Sequence, residues 1–242
     1  MGRGEDMNLE KYEKIMNEAM ECKPFPISEI ELCRRYEKVF TAAVNDVLRE
    51  EGLIAQTLPN DILPLREEMK VCGIAFTVTG CQSLAIKDEM EERARMLESI
   101  EAGNVVVWDT GRDTISAQWG EMMTKVSKKR GCRGAVVDGG VRDTNKVLAQ
   151  NFPIFCRYRS SNGMLGRFRI TAWQVPIMIG EVRIYPGDVV FGDIDGVIVI
   201  PRKLAYDVLL RAEAIRDSEM GISDMIDSGM SPSQIVEGGG YF

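Results

Sequence analysis

Between Val71 and Arg157 the chain alternates short apolar runs with charged or amphipathic stretches, and this alternation limits its fold more than any other feature. VCGIAFTV at 71–78 mixes small and β-branched residues and reads as a buried strand. The charged stretch from Lys87 to Ile100, closed by Ala-Gly-Asn, predicts a helix. A strand at Val105 to Trp108, ending in Asp109-Thr-Gly, follows it. Then come a helix from Ser116 to Lys129, a strand from Ala135 to Val137, a helix from Thr144 to Gln150 and a strand from Ile154 to Arg157. Beyond them, Ile170 to Ile200 is β-rich, with tight turns at Tyr185-Pro-Gly-Asp188 and Asp193-Ile-Asp-Gly196 and a buried strand VIVI running to Pro201. A strand–helix alternation followed by hairpins predicts an α/β fold of layered α/β/β type rather than a simple doubly wound sheet.

Helices flank this body. Residues 8–22 look helical and amphipathic, an extension packing on the body or on a neighbour. Ser28 with Glu31 three residues on has the capping-box pattern and opens a helix through about Tyr36. TAAVNDVLRE at Thr41 to Glu50 predicts another, ended by Gly52, and a last helix runs from Leu204 to about Met220. The expected organisation is an N-terminal helical extension over 1–39, an α/β domain over 40–203, and a C-terminal helix and tail over 204–242.

Within the alternation, one stretch carries the chemistry. Trp119 to Asp143 reads WGEMMTKVSKKRGCRGAVVDGGVRD, in which Glu121 is followed after 20 residues by an adjacent Arg142-Asp143 just behind a diglycine. Arg142 offers a planar fork that fits a carboxylate, and Asp143 offers hard oxygen to a divalent cation. At Trp119-Gly120-Glu121-Met122-Met123 a loop turns into a helix, whose free N–H groups and dipole suit an anion. The bland alternatives are a helix start with Met122 and Met123 in the core and a surface Arg-Asp pair. The spacing of the two motifs together points instead to a small keto acid held on a metal.

Histidine is absent. That removes the usual general base, the usual zinc ligand and any Ser-His-Asp or Cys-His arrangement. Proton transfer falls to carboxylates, lysine, tyrosine, cysteine or water, and a metal would be Mg²⁺ or Mn²⁺ on oxygen. The net charge of −7 and the single short basic cluster Lys125, Lys128, Lys129 and Arg130 argue against nucleic-acid binding; the cluster reads as a solvated helix side. No apolar run reaches membrane-spanning length, and the polar start MGRGEDMNLEKYEK is no secretory signal. Cysteines at 22, 33, 72, 81, 132 and 156 have no C-x-x-C spacing and read as reduced, mostly buried thiols. A cytoplasmic protein is expected.

At GIAFTV (73–78), WGE (119–121), RGAVVDGGVRD (133–143) and PGDVVFGDIDGVIVIP (186–201) the chain resembles the RraA-like family, which unites the regulator of ribonuclease activity A with the metal-dependent 4-hydroxy-4-methyl-2-oxoglutarate aldolases. The resemblance covers roughly Phe40 to Pro201. It implies a swivelling β/β/α-type domain and a class II pyruvate aldolase, an oxaloacetate decarboxylase, or both. It implies that Asp143 holds Mg²⁺ (or Mn²⁺) and that Arg142 grips the substrate carboxylate and polarises its carbonyl. The amides of Gly120, Glu121, Met122 and Met123 then cradle the pyruvyl carboxylate, and Glu121 orients a water on the cation that carries protons. The family usually has Asp at the position of Glu121. It builds its site between the subunits of a homotrimer or homohexamer, and Asp46 and Glu219 (with Glu213 as competitor) correspond to carboxylates donated by a neighbour.

Other features weigh less. Arg157, Arg159 and Arg167 around Ser160-Ser161-Asn162-Gly163 read as surface ion pairs or as a second anion site for a diacid. Asp193 and Asp195 read as turn caps rather than a calcium loop, because no bidentate glutamate follows. Lys125 and Lys146 lack the apolar setting of a Schiff-base lysine. A non-catalytic regulator that binds a ribonuclease or another protein is the alternative function. A methyltransferase finds no glycine-rich nucleotide loop.

Overall fold

The computed structural model describes residues 9–239. Helix α1 (Leu9–Ala19) begins within the expected 8–22 span, whose first residue lies outside the described residues. Leu9, Tyr12 and Ile15 recur at three-residue steps along it, and all three are exposed. Helix α2 (Glu29–Tyr36) starts where Ser28 Oγ accepts from Glu31 N at 3.2 Å. Only that half of the capping box forms, because the Glu31 carboxylate pairs with Arg34 at 3.4 Å. Helix α3 (Thr41–Glu50) opens at Phe40, which has no capping oxygen. A distant carboxylate supplies it: Asp193 accepts from Thr41 N at 2.9 Å and Thr41 Oγ1 at 2.8 Å.

The strands are β1 (Leu63–Pro64), β2 (Val71–Gln82), β3 (Asn104–Asp109), β4 (Ala117–Trp119), β5 (Gly134–Val141), β6 (Ile154–Arg159), β7 (Phe168–Trp173), β8 (Ile177–Ile179), β9 (Val182–Ile184), β10 (Val189–Asp193) and β11 (Gly196–Ile200). Helices α4 (Glu89–Glu98), α5 (Glu121–Lys129) and α6 (Thr144–Leu148) lie between them, and α7 (Ala205–Asp227) and α8 (Pro232–Glu237) follow. The main sheet runs β1-β6-β5-β3-β2-β10-β11, with β4 added to β5 and β7 to β2. Strands β2, β3, β5 and β6 are mutually parallel, as the helical crossovers require, and β10–β11 is an antiparallel hairpin. Leu58 N donates to Val197 O and Val199 N to Gln56 O, both at 2.9 Å, so the chain ahead of β1 lies along β11 and the sheet nearly closes.

Alternation along the strands sorts their side chains into two faces. Val71, Ala75, Val105, Val107, Val136, Phe155, Val190 and Val199 point inward, where the β8–β9 hairpin covers them with Ile177, Ile179, Val182 and Ile184. The opposite face carries helices: Phe76, Val78, Val106 and Val137 meet Met96, Met123 and Val147, and Cys72, Ile74, Phe191 and Ile198 meet Leu32, Val44, Leu48 and Leu209. Each such aliphatic side chain, fully buried, contributes roughly 1.5–3 kcal/mol. The layering is the α/β/β arrangement expected from the strand–helix order.

Three elements depart from expectation. The helix placed at Ser116 to Lys129 is two elements, since Ala117–Trp119 forms β4 and α5 begins only at Glu121. Tertiary pairing overrides local pattern here: Ala117 N donates to Asn162 O at 2.7 Å, and the Gln118 amide oxygen accepts from Gly140 N at 3.0 Å. Strand β2 runs on to Gln82 because β7 pairs with its far half. The last helix continues past Met220 to Asp227, and Ser231 then opens α8 with a complete capping box to Gln234. Cys33, Cys72, Cys132 and Cys156 are buried, Cys22 and Cys81 exposed, and all six are free. Among the described residues no helix is long and apolar enough to cross a membrane.

Candidate active site

The parallel strands β2, β3, β5 and β6 all end on one side of the sheet, and open α/β sheets bind ligands outside such carboxyl ends. Strand β5 is buried along its whole length and delivers Arg142-Asp143 there. Arg142 N donates to Trp119 O at 2.9 Å, tying the end of β5 to the end of β4. Asp143 then adopts a left-handed conformation (φ 54°), which Asp tolerates better than most residues, and its carbonyl accepts from Lys146 N and Val147 N as α6 begins.

That turn brings the Asp143 carboxylate back over Gly120. A Cβ at Gly120 would stand 3.1 Å from both Asp143 Oδ2 and Arg142 Cγ, so the missing side chain is the space in which the two groups meet. Gly120 has extended backbone, open to any residue, and its role is this room. The two side chains are about half exposed, with Arg142 Nε 3.4 Å from Asp143 Oδ2.

Directly below them helix α5 begins at Gly120, which has no side chain to cap it, and among the described residues no other side chain does so. The amides of Glu121, Met122 and Met123 therefore face the site unclaimed, with the positive end of the helix dipole behind them. The start is rigid: Trp119 Nε1 donates to Thr124 Oγ1 at 2.8 Å, which in turn donates to Gly120 O at 3.0 Å, and Trp119 stacks on Phe152. Met123 is core, whereas Met122 is exposed, so only one of the pair follows the bland alternative.

A third edge comes from the loop after β6. A Cβ at Gly163 would stand 2.5 Å from Arg142 Nη1, so the end of the guanidinium occupies the space that a side chain there would fill. Arg167 Nη1 donates to the same residue's carbonyl at 3.1 Å. Behind it, buried Asp113 accepts from Ser116 N and Oγ, Gln118 Nε2 and Gln82 Nε2. Burial pushes its carboxyl up, but these bonds outweigh burial and hold it below the usual range.

Glu121 does not point freely into the site. Its Oε2 lies 3.0 Å from Lys146 Nζ, and the pair raises the lysine, helped by the charge of Asp143. Asp46 and Glu219 stand elsewhere. Asp46 on α3 pairs with Arg49 at 3.0 Å, and Glu219 is exposed on α7. Among the described residues neither touches Arg142 or Asp143. Glu213 is taken by a two-pronged bond from Arg35, which holds its carboxyl below the usual range. Arg157 pairs with Asp138 and Asp61 as one reading expected, but its side chain is buried rather than on the surface. Sequence reasoning missed Gly163 and the Lys146–Glu121 pair. Only the i, i+3 step from Asp143 to Lys146 hinted at the second.

Among the described residues no three acidic or thiol side chains converge on one point, and the carboxylate standing over Gly120 is that of Asp143. That fits Mg²⁺ or Mn²⁺, hard ions of which Mg²⁺ keeps several waters and binds through one or two carboxylates plus the substrate.

The RraA-like profile, described as Aldolase/RraA, matches residues 41–199. A Halalkalibacterium halodurans protein, provisionally named a 4-hydroxy-4-methyl-2-oxoglutarate aldolase, is 34% identical over 85% of this chain and 99% of its own length. Protein DlpA of Legionella pneumophila is 29% identical over 81% of this chain, which spans only 32% of that larger protein. A crystal structure described among novel cellulases from gut-associated microbes shares 50% identity at a TM-score of 0.85, over 89% of this chain and 96% of that one. Streptomyces coelicolor RraAS2, an unusual member of the RNase ES inhibitor RraA family, shares 27% at a TM-score of 0.73, over 84% and 99%.

Proposed function

The chain belongs to the RraA-like (Aldolase/RraA) family, and we propose from there that it is a divalent-metal-dependent lyase cleaving 2-oxo acids to pyruvate. It would act as a 4-hydroxy-4-methyl-2-oxoglutarate-type aldolase, an oxaloacetate decarboxylase, or both. One observation carries the reading: Arg142 and Asp143 converge over Gly120 at the uncapped start of α5. A cationic fork, a hard anionic ligand and free backbone donors together suit a carboxylate next to a carbonyl.

The substrate carboxylate sits on the amides of Gly120 to Met123, with Arg142 reaching the carboxylate and the adjoining carbonyl oxygen. Breaking the bond to the pyruvyl methylene, by loss of an aldehyde, a ketone or CO₂, leaves its electron pair as an enolate. Arg142 stabilises the negative charge that develops on the oxygen. Asp143 would hold a Mg²⁺ or Mn²⁺, which when bound would supply Lewis-acid polarisation of that oxygen. Through the carboxylate oxygen that Lys146 does not hold, Glu121 orients the water that returns a proton to the methylene carbon, releasing pyruvate; in the aldol case it also accepts the hydroxyl proton.

Asp46 and Glu219 enter only if another copy brings them, so the reading includes a homotrimer or homohexamer with sites between subunits. The test is pyruvate release from oxaloacetate and from 4-hydroxy-4-methyl-2-oxoglutarate, with and without EDTA. Activity abolished by chelation and by Asp143→Ala is expected; activity indifferent to both would defeat the mechanism.

A second reading, a regulator that binds a ribonuclease, draws on the likeness to RraAS2 and on the exposed Leu84, Ile86 and Ile115 beside the Gly163–Gly166 loop. Inhibition of an endoribonuclease in a purified RNA-cleavage assay, undiminished by Asp143→Ala, would favour it over catalysis.

A further inference from the structure

An anion-binding helix start with a glutamate as its first residue contains a conflict. A carboxylate in the first helical turn is drawn to the same free N–H groups and the same dipole that are to receive the substrate. With Glu121 at the first position of α5, its own side chain is the nearest competitor for that cradle. The glutamate side chain is one methylene longer than aspartate and folds back more readily.

The structure resolves this through α6. Lys146 Nζ holds Glu121 Oε2 at 3.0 Å, and among the described residues no side chain, Glu121 included, caps α5. The two helices are also pinned at this point: the Gln150 side-chain amide donates to Glu121 O and to Lys146 O, each at 3.3 Å. Lys146 follows Asp143 by three residues, and Lys146 N donates to Asp143 O at 2.9 Å, so the turn that aims the proposed metal ligand also aims the lysine.

We propose that Lys146 is a positioning residue: by pairing with Glu121 it keeps that carboxylate off the start of α5 and leaves the amides of Glu121 to Met123 open to the substrate carboxylate. The inference rests on the reading of that helix start as the carboxylate site. It gives the glutamate at position 121 a dedicated partner.

The experiment measures oxalate binding to the full chain by calorimetry, with Mg²⁺ present, alongside steady-state kinetics on oxaloacetate. Variants are Lys146→Gln, Lys146→Arg, Glu121→Gln and the double variant Lys146→Gln/Glu121→Gln. Lys146 is largely exposed and Glu121→Gln keeps the side chain's shape, so folding should be undisturbed, which thermal melting checks. Lys146→Gln should weaken oxalate roughly three- to tenfold and raise KM more than it lowers kcat, the scale of a first-turn charge effect. Lys146→Arg should restore most of the loss. In the double variant oxalate should bind as in Glu121→Gln alone, because the competing carboxylate is gone. Equal oxalate affinity in Lys146→Gln and the wild type overturns the inference and leaves the lyase reading intact. A double variant as weak as Lys146→Gln overturns it too, since Lys146 would then act on the ligand itself. A wild-type chain that binds no oxalate defeats the lyase reading instead.

Discussion

Arg142 and Gly163 are shaped to each other: a Cβ at position 163 would lie 2.5 Å from Nη1 of the guanidinium. The obstructing atom is the far end of a flexible side chain, so the chain accommodates an added methyl by moving Arg142 rather than by unfolding. Gly163→Ala should therefore leave the melting temperature nearly unchanged while kcat/KM for oxaloacetate falls roughly tenfold or more, the scale of one lost charge-assisted contact. An unaltered rate would mean that Arg142 does not work from this position.

The fork of Arg142 matters as much as its charge. Lysine keeps the charge and loses the planar pair of donors. Arg142→Lys should lower kcat/KM roughly 10- to 100-fold, and steady-state kinetics on oxaloacetate would expose a merely ionic role if the loss were smaller.

Arg157 sits between Asp138 and Asp61, and burial already pushes the Asp138 carboxyl up against the pull of the arginine. Arg157→Met strands that carboxylate in the core and should cost about 3–5 kcal/mol, read by urea denaturation at neutral pH. Arg157→Met with Asp138→Asn should recover a large part.

Burial pushes the Asp188 carboxyl up to about 6 from an ordinary 3.8, despite bonds from Tyr185 N and Arg202 N. The folded state thus holds a proton that the unfolded chain releases. The stability this contributes is fully present below about pH 4 and is lost as pH rises through about 6, a swing of roughly 3 kcal/mol. Wild-type and Asp188→Asn stabilities should therefore diverge across pH 4 to 7, with the variant gaining relative to the wild type at the upper end. A constant difference would remove Asp188 as the cause.

Asp193 caps α3 across the molecule through Thr41. Asp193→Ala should cost about 1–3 kcal/mol, measured by thermal unfolding, through two lost hydrogen bonds and an uncapped helix.

Much of the fold was legible because its strands and helices each carry their own period. Thr41 to Glu50 emerged with both ends right, since its pattern and its stop at Gly52 are local. Ala117 to Trp119 did not, because nothing nearby distinguishes a helical turn from a strand whose partners, Gly140 and Asn162, lie more than 20 residues on. The site divided in the same way. Arg142, Asp143 and Gly120 could be named from adjacency and spacing, as could the strand that delivers them. Gly163 could not, for its value is the room it leaves to a side chain 21 residues away. Nor could the fate of Glu121, which depends on which lysine α6 turns toward it.

Strand β5 has no exposed residue between Gly134 and Val141, and Arg142-Asp143 hangs directly from its end. Its amides should be among the last to exchange with deuterium, because they open only when the whole sheet does. The reactive pair thus inherits the stiffness of the most protected part of the molecule. Around it lie the irregular segments 83–88, 110–116 and 160–167, of which the second places Asp113 and the third Gly163. On the proposed reading, the strand fixes where the pair stands and the loops shape the space in front of it.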